Sequence, residues 1–337
     1  MRILVIGGTR FVGRAIVEAA TARGHTVTLL HRGTAGSDVL PYAEHLHTDR
    51  NEDLSSLSSR SFDVTVDVCA YVPRQVETLA AALGGRGGHH VFISTVSVYD
   101  DAKVDGPGLT EDGPLAELAD TTTEQVTGET YGGLKVLCER AARSAYGDDR
   151  LTVVRPTYVI GPHDPTGRFT WWVRRVAAGG EVLAPAPADA PIQAVDARDQ
   201  GDWVVRLAEQ QTAGTFNSIG TPLPFGFGDL LGATVAAVGP PGTTLTWVDG
   251  GWLVEQGENG QSLPLWPEGG TEWTLAADPS RALATGLTPR PIGDTVRDTL
   301  DWIRAEDPPM VDGWGITAER EADLLAAWQR RGDPGGR

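Results

Sequence analysis

The run Arg2-Ile3-Leu4-Val5-Ile6-Gly7-Gly8-Thr9-Arg10-Phe11-Val12-Gly13 decides the fold. A short apolar stretch leads straight into a glycine turn, after which Phe11, Ile16, Val17 and Ala20 recur at helical spacing. A tight turn between a strand and a helix aims backbone N–H groups at whatever lies ahead of the helix, which suits a pyrophosphate. Gly7 and Gly13 are spaced as the outer glycines of a GxxGxxG loop, with Arg10 in the middle position. In a chain with 42 glycines such a loop alone is a weak signal, and an ordinary strand–helix turn competes with it. Its placement directly after a strand, at residue 7, favours the nucleotide.

Outward from this start the pattern repeats. Thr26–Leu30, Val64–Val68, Val91–Ser94 and Leu151–Val154 read as further strands, separated by helical stretches. One helix opens at Pro73 and should stop at the glycines between Gly84 and Gly88, and another covers about 124–145. This alternation predicts an α/β protein: a Rossmann-type doubly wound parallel sheet over residues 1–165, covered on both faces. Ala213–Ile219 reads as a strand returning to the sheet, so a segment at about 191–221 is expected to rejoin it. Residues 166–190 and 222–337, richer in proline and tryptophan, read as a smaller substrate-binding domain with a helical tail at 318–331.

Composition narrows the function classes. The 337 residues carry 28 basic and 45 acidic side chains, a net charge of −17, so no tight nucleic-acid partner is expected. The apolar runs fall short of the ~18 residues that would span a membrane. Two cysteines, Cys69 and Cys138, cannot build a disulfide framework, which fits a reducing compartment. The first residues read as strand and turn, with no separate apolar leader, so a cytoplasmic location is expected.

Two arginines speak to the nucleotide. NAD-binding sheets usually place an acid at the end of the second strand to bond the ribose 2′-hydroxyl, whereas an arginine there accommodates a 2′-phosphate. Here His31 and Arg32 occupy that place with no acid. NADP(H) is therefore the expected cofactor, with NAD(H) the alternative. Arg10 at the helix start opposes the helix dipole, a conflict that a bound phosphate removes. Asp49, with Arg50 beside it, follows a weaker strand pattern and reads either as an adenine contact or as a turn residue. Thr9, Phe11 and Val12 complete the expected cofactor-binding set with Gly7, Arg10, Gly13, His31, Arg32, Asp49 and Arg50.

The chemistry centres on Tyr131-Gly132-Gly133-Leu134-Lys135. With six tyrosines and two lysines in the chain, a chance Tyr-x-x-x-Lys is expected only ~0.04 times. At i and i+4 on a helix the two side chains share a face, and the ammonium favours the tyrosinate. A phenol tuned in this way is a general acid/base for carbonyl reduction or alcohol oxidation. A tyrosine packed under a surface helix is the bland alternative. Upstream, Ser94-Thr95-Val96-Ser97-Val98-Tyr99 leaves a strand with three hydroxyls at the end where ligands bind in such sheets.

Taken in order, the glycine loop, the STVSVY strand end, YGGLK and Arg155-Pro156-Thr157-Tyr158-Val159-Ile160-Gly161-Pro162 resemble the extended short-chain dehydrogenase/reductase family, epimerase/dehydratase-like. The GGTRFVG loop resembles its atypical branch, with stem-loop-binding proteins and bacterial proteins labelled isoflavone reductase. The resemblance implies Thr95 as the catalytic hydroxyl, Tyr131 as general acid/base, and Lys135 on the nicotinamide ribose. Ser94 and Ser97 are secondary candidates, and a homodimer is the family's usual state.

Departures narrow the reaction. Sugar-nucleotide dehydratases of the family carry an Asp-Glu pair after the catalytic threonine, and here those positions are Val96 and Ser97. Epimerases commonly place Asn where Tyr158 stands. A carbonyl reductase or alcohol dehydrogenase acting on a small organic molecule is therefore the leading expectation. An NAD-retaining epimerase with a sugar-nucleotide-like substrate and a non-catalytic nucleotide- or RNA-binding protein are the alternatives. Ser97, Tyr158, Arg168, Phe169, Trp172 and Gln193 are the expected substrate contacts, since aromatic walls with a few polar groups typify ligand pockets. Trp171 and Trp172 read also as packing between the domains, the favoured reading for at least one of them. His163-Asp164 has no second ligand cluster, so no metal is assigned.

Overall fold

The computed structural model describes residues 1–34, 40–268 and 272–332. Two compact units emerge. The first comprises Met1–Val159, Ala194–Pro222 and Trp273–Pro289, and the second Ile160–Gln193, Leu223–Glu272 and Arg290–Arg337.

β1 (Arg2–Ile6) leads through the glycine turn into α1 (Phe11–Ala22), β2 (Thr26–His31) and β3 (Glu44–His47). β4 (Val64–Asp67), α2 (Pro73–Leu83), β5 (His89–Ile93), α3 (Gly128–Tyr146) and β6 (Leu151–Pro156) follow. After β7 (Tyr158–Ile160) come α4 (Arg168–Ala177) and β8 (Glu181–Pro185) of the second unit. The chain re-enters the first unit with β9 (Ala194–Asp196), α5 (Ala197–Gln210) and β10 (Gly214–Ser218). The second unit adds α6 (Phe227–Val238), β11 (Thr244–Val248) and α7 (Gly250–Glu255). Then α8 (Ser280–Ala284) belongs to the first unit, and α9 (Ile292–Glu306) and α10 (Ala318–Gly332) to the second.

Seven strands form one parallel sheet in the order β3-β2-β1-β4-β5-β6-β10. The order reverses between β1 and β4, the switch point beside which such sheets bind ligands. All six residues of β6 are buried, as expected of a strand covered on both faces. On one face Ile16, Val17, Trp203 and Val204 pack with Val5 and Leu29. On the other, Leu79 and Leu83 meet Leu4 and Leu30, and Cys138 and Ala142 meet Phe92 and Val153.

Local signals set the helix limits. Pro73 is the first residue of α2, and Gly84, left-handed at φ +52°, ends it. α3 starts later than the expected residue 124, because Thr127 and Thr130 cap each other's backbone N–H groups. Residues 222–337 read from sequence as one smaller domain. Instead, 273–289 joins the first unit, where Gly108 N–H donates to Ala276 O at 2.7 Å and Asp278 N–H to Leu109 O at 2.8 Å. Main-chain bonds to a distant loop decide that placement.

His90 lies wholly buried in β5, its ring stacked 3.9 Å from that of Tyr146, with neither nitrogen hydrogen-bonded. Burial lowers its pKa to about 4. The unfolded chain therefore binds a proton below pH 6.5 that the folded one refuses until about pH 4. Stability from this group should fall by about 3 kcal/mol as pH drops through that window. Urea denaturation of His90→Phe, compared with wild type at pH 7 and pH 4.5, should show a flatter acid limb. Equal slopes would mean that His90 is not held neutral.

Candidate active site

The hydroxyl-rich segment leaves β5 at Ile93. Thr95 is extended and caps the turn 96–98: its Oγ1 accepts from Ser97 N–H at 3.1 Å and donates to Ser97 Oγ at 3.2 Å. Thr95 is nearly buried and Ser97 exposed. Helix α3 lies directly against this turn. A Cβ on Gly132 would stand 2.0 Å from Ser97 O, and one on Gly133 would stand 2.5 Å from Leu118 Cγ. The two poor helix formers of YGGLK are thus what lets the helix, with half-buried Tyr131, approach so closely.

One turn on, Lys135 is buried and donates from Nζ to Ile93 O at 2.7 Å and Ala70 O at 2.9 Å. It is thereby fixed at the C-terminal ends of β4 and β5, 4.2 Å from the Phe92 ring centroid. Burial lowers its pKa to about 8, so at pH 7 it is predominantly the ammonium. Tyr71, which sequence reasoning passed over, sets its half-exposed ring 6.3 Å from that of Tyr131. The glycine loop, Thr95, Tyr131 and Lys135 all belong to the first unit.

The loop itself leaves no room for side chains. Gly7 is left-handed at φ +85°, and a Cβ there would lie 2.6 Å from Cys69 Sγ. A Cβ on Gly13 would lie 2.6 Å from Gly7 O. Arg10 is the N-cap residue of α1, exposed and without a side-chain cap bond, and the first turn contains no acid. Phe11 adopts φ +40°, a strained value for a bulky residue, at the junction of turn and helix. These features fit a dinucleotide pyrophosphate: a cradle that a Cβ would fill, and a helix N-terminus with no anion of its own. Thr9 and Val12 are half-buried within the loop. Arg32, just past β2, is exposed and has no ion pair with any described residue.

Several expected contacts are employed elsewhere. Arg50 is buried, and its guanidinium grips Asp67 at 2.6 and 2.8 Å while donating to Gln75 O at 3.0 Å. Although burial opposes it, Arg50 holds the Asp67 carboxyl below its ordinary range. Arg50 is a structural cation rather than a cofactor contact. The buried His31 ring faces Gly33 N–H and His45, so it too is taken up within the fold. Asp49 Oδ1 accepts two bonds from Asn51 and forms a turn.

In the second unit Phe169 and Trp172 are buried core residues, not pocket walls. Trp172 stands edge-on to Trp171 at 4.6 Å and Phe227 at 5.6 Å, and its Nε1–H donates to Pro264 O. Burying so much aromatic surface outweighs leaving it for a ligand. Arg168 is half-buried and reaches Thr166 Oγ1 at 3.2 Å, and Gln193 is fully buried. Tyr158, half-buried, falls in the first unit.

Behind the candidate residues runs a polar network that sequence reasoning did not anticipate. Arg155 pairs with Glu139 through Nε at 2.9 Å and Nη2 at 2.7 Å, both residues being buried. Glu139 Oε1 also accepts from Ser94 Oγ at 2.6 Å. Arg155 Nη1 donates to Tyr99 OH, which donates to Asn217 Oδ1 at 2.7 Å. Glu139 lies one turn beyond Lys135, so the network holds α3 against the strand end that carries Thr95. Ser94 thereby serves as a brace.

Residues 74–219 match the model of the NAD dependent epimerase/dehydratase family, a stretch that contains Thr95, Tyr131 and Lys135. Over that stretch, somewhat under half of its length, the chain is similar to this family. Among curated proteins it is 26% identical over 200 residues to the chloroplast stem-loop binding protein of 41 kDa b from Arabidopsis thaliana, covering 55% of this chain and 49% of that one. Over 105 residues it is 32% identical to the bifunctional pinoresinol-lariciresinol reductase of Thuja plicata, 31% of this chain and 33% of that one. The alignments thus span about half and a third of those relatives.

Among epimerase/dehydratase folds of known structure, UDP-N-acetylglucosamine 4-epimerase from Bacillus cereus superposes with a TM-score of 0.65 at 18% identity, covering 93% of this chain and 99% of that one. UDP-glucuronic acid 4-epimerase from Bacillus cereus, in complex with NAD, gives 0.66 at 17%, covering 91% and 100%. At these identities the likeness is one of fold. Among the described residues no helix is long and apolar enough to cross a membrane.

Proposed function

We propose that the chain is an NADP(H)-dependent oxidoreductase that interconverts a carbonyl and an alcohol on a small organic substrate, with Tyr131 as general acid/base. The observation that carries this is the convergence of Thr95, Tyr131 and Lys135 on one sheet end through Gly132. The bound nicotinamide supplies the hydride donor or acceptor. Tyr131 gives a proton to the substrate oxygen in reduction and takes it back in oxidation. Lys135, its ammonium held by two carbonyls, favours a phenolate on the neighbouring turn of α3. Thr95 steadies the oxygen through Oγ1. No carboxylate follows Thr95 to drive elimination, since Val96 and Ser97 stand there.

The preference for NADP(H) is supported by two exposed cations, Arg32 just past β2 and Arg10 at the start of α1, since cations at such positions suit a 2′-phosphate and a pyrophosphate. Fluorescence titration should show NADPH binding more tightly than NADH. Arg32→Glu should weaken NADPH by at least about tenfold and leave NADH nearly unchanged. An equal loss for both cofactors would remove Arg32 from the 2′-phosphate.

A further inference from the structure

At the edge of the sheet, at the carboxyl ends of β2 and β3 and beside Arg32, three of the chain's seven histidines converge. His45 and His47 alternate along edge strand β3 and therefore point to one face. His31 pairs with His47 in the β2–β3 register, and Leu29 with His45, so all three imidazoles share that face. One nitrogen from each ring lies within 4.8 Å of the others. We propose that His31, His45 and His47 form a binding site for a divalent d-block cation of the Zn²⁺ class.

The donor set suits that ion, since neutral imidazoles are its common ligands. His45 Nε2 lies 3.1 Å from Leu40 O, and donation to that carbonyl leaves Nδ1 with its lone pair turned towards His31, 2.8 Å away. A backbone carbonyl holding the remote N–H is how metal-bound histidines are ordinarily oriented. Glu44, next to His45 on β3 but on the opposite face, is engaged by Arg60 at 2.8 Å and Thr28 at 2.9 Å. His47 is exposed on the edge strand, which gives the ion an entry path and leaves room for water as a further ligand.

Seating the ion requires one local change. Gly33 N–H now donates to His31 Nδ1 at 3.1 Å, which places the ring proton on Nε2, between His31 and His45. For His31 to ligate through Nε2, that proton moves to Nδ1 and the Gly33 N–H turns aside. Gly33, at φ +78°, has the backbone freedom to do so.

The test uses the full chain without a polyhistidine tag, stripped with chelator. It is titrated with Zn²⁺ by calorimetry and with Co²⁺ by visible absorption. One equivalent should bind, and Co²⁺ should give the intense d–d bands of a tetrahedral site. His47→Ala and His45→Gln should each weaken binding at least about tenfold, with His163→Gln unchanged. Circular dichroism of each variant separates lost ligation from lost folding, and His47, being exposed, is the safer substitution. No Zn²⁺ binding below millimolar concentration, or equal affinity in folded His47→Ala and wild type, would leave the three histidines as a hydrogen-bonded chain and overturn the proposal.

Discussion

Replacing Tyr131 by Phe should lower turnover by about 10²–10⁴-fold while leaving NADPH affinity unchanged. The ring stays, beside its neighbour Tyr71, and only the proton carrier is removed. The comparison is made with whichever carbonyl compound the wild type reduces, following NADPH absorbance, and with NADPH titrated separately. Turnover near the wild-type rate in Tyr131→Phe would take the general acid/base role away from this residue. A joint loss of turnover and cofactor binding would instead point to a collapsed site.

The second large effect concerns stability. Arg155→Met should cost about 3–5 kcal/mol, because it leaves the Glu139 carboxylate buried without its cation. The double variant Arg155→Met/Glu139→Gln should recover part of that loss, since a neutral side chain tolerates burial far better than an orphaned charge. Urea unfolding of the two variants and wild type at pH 7 measures both numbers. A single variant as stable as wild type would show that the pair does not brace α3. The same network reaches Ser94 and Tyr99, on either side of Thr95, so the single variant should also lose activity before it unfolds.

Much of this was legible from local sequence. The turn at Gly7 follows from a strand running into glycines, and the limits of α2 follow from Pro73 and Gly84, because neighbouring residues cause all of these features. Tyr131 and Lys135 could be paired from spacing alone, since four residues on a helix fix a shared face. From sequence, Gly132 and Gly133 are only weak helix formers. Their reason is the backbone of Ser97 and the side chain of Leu118, and neither is a helical neighbour.

What stayed hidden depends on distant partners. Arg50 sits where a cofactor contact was expected, yet its direction is set by Asp67 on another strand. Phe169 and Trp172 are as apolar as pocket walls, and only Phe227 and Pro264 reveal them as core. His45 and His47 alternate on β3, a strand too weakly marked in the sequence to single them out. The third histidine lies fourteen residues earlier, and parallel pairing brings it alongside.

The central claim, an exchangeable NADP(H) at the glycine loop, is tested most directly on the wild-type protein. The chain is purified, denatured to identify any nucleotide released, and the native protein is then titrated with NADPH and NADH. The account predicts no retained NAD and tighter binding of NADPH. One equivalent of NAD surviving purification would contradict it and favour an isomerase that recycles its cofactor in place.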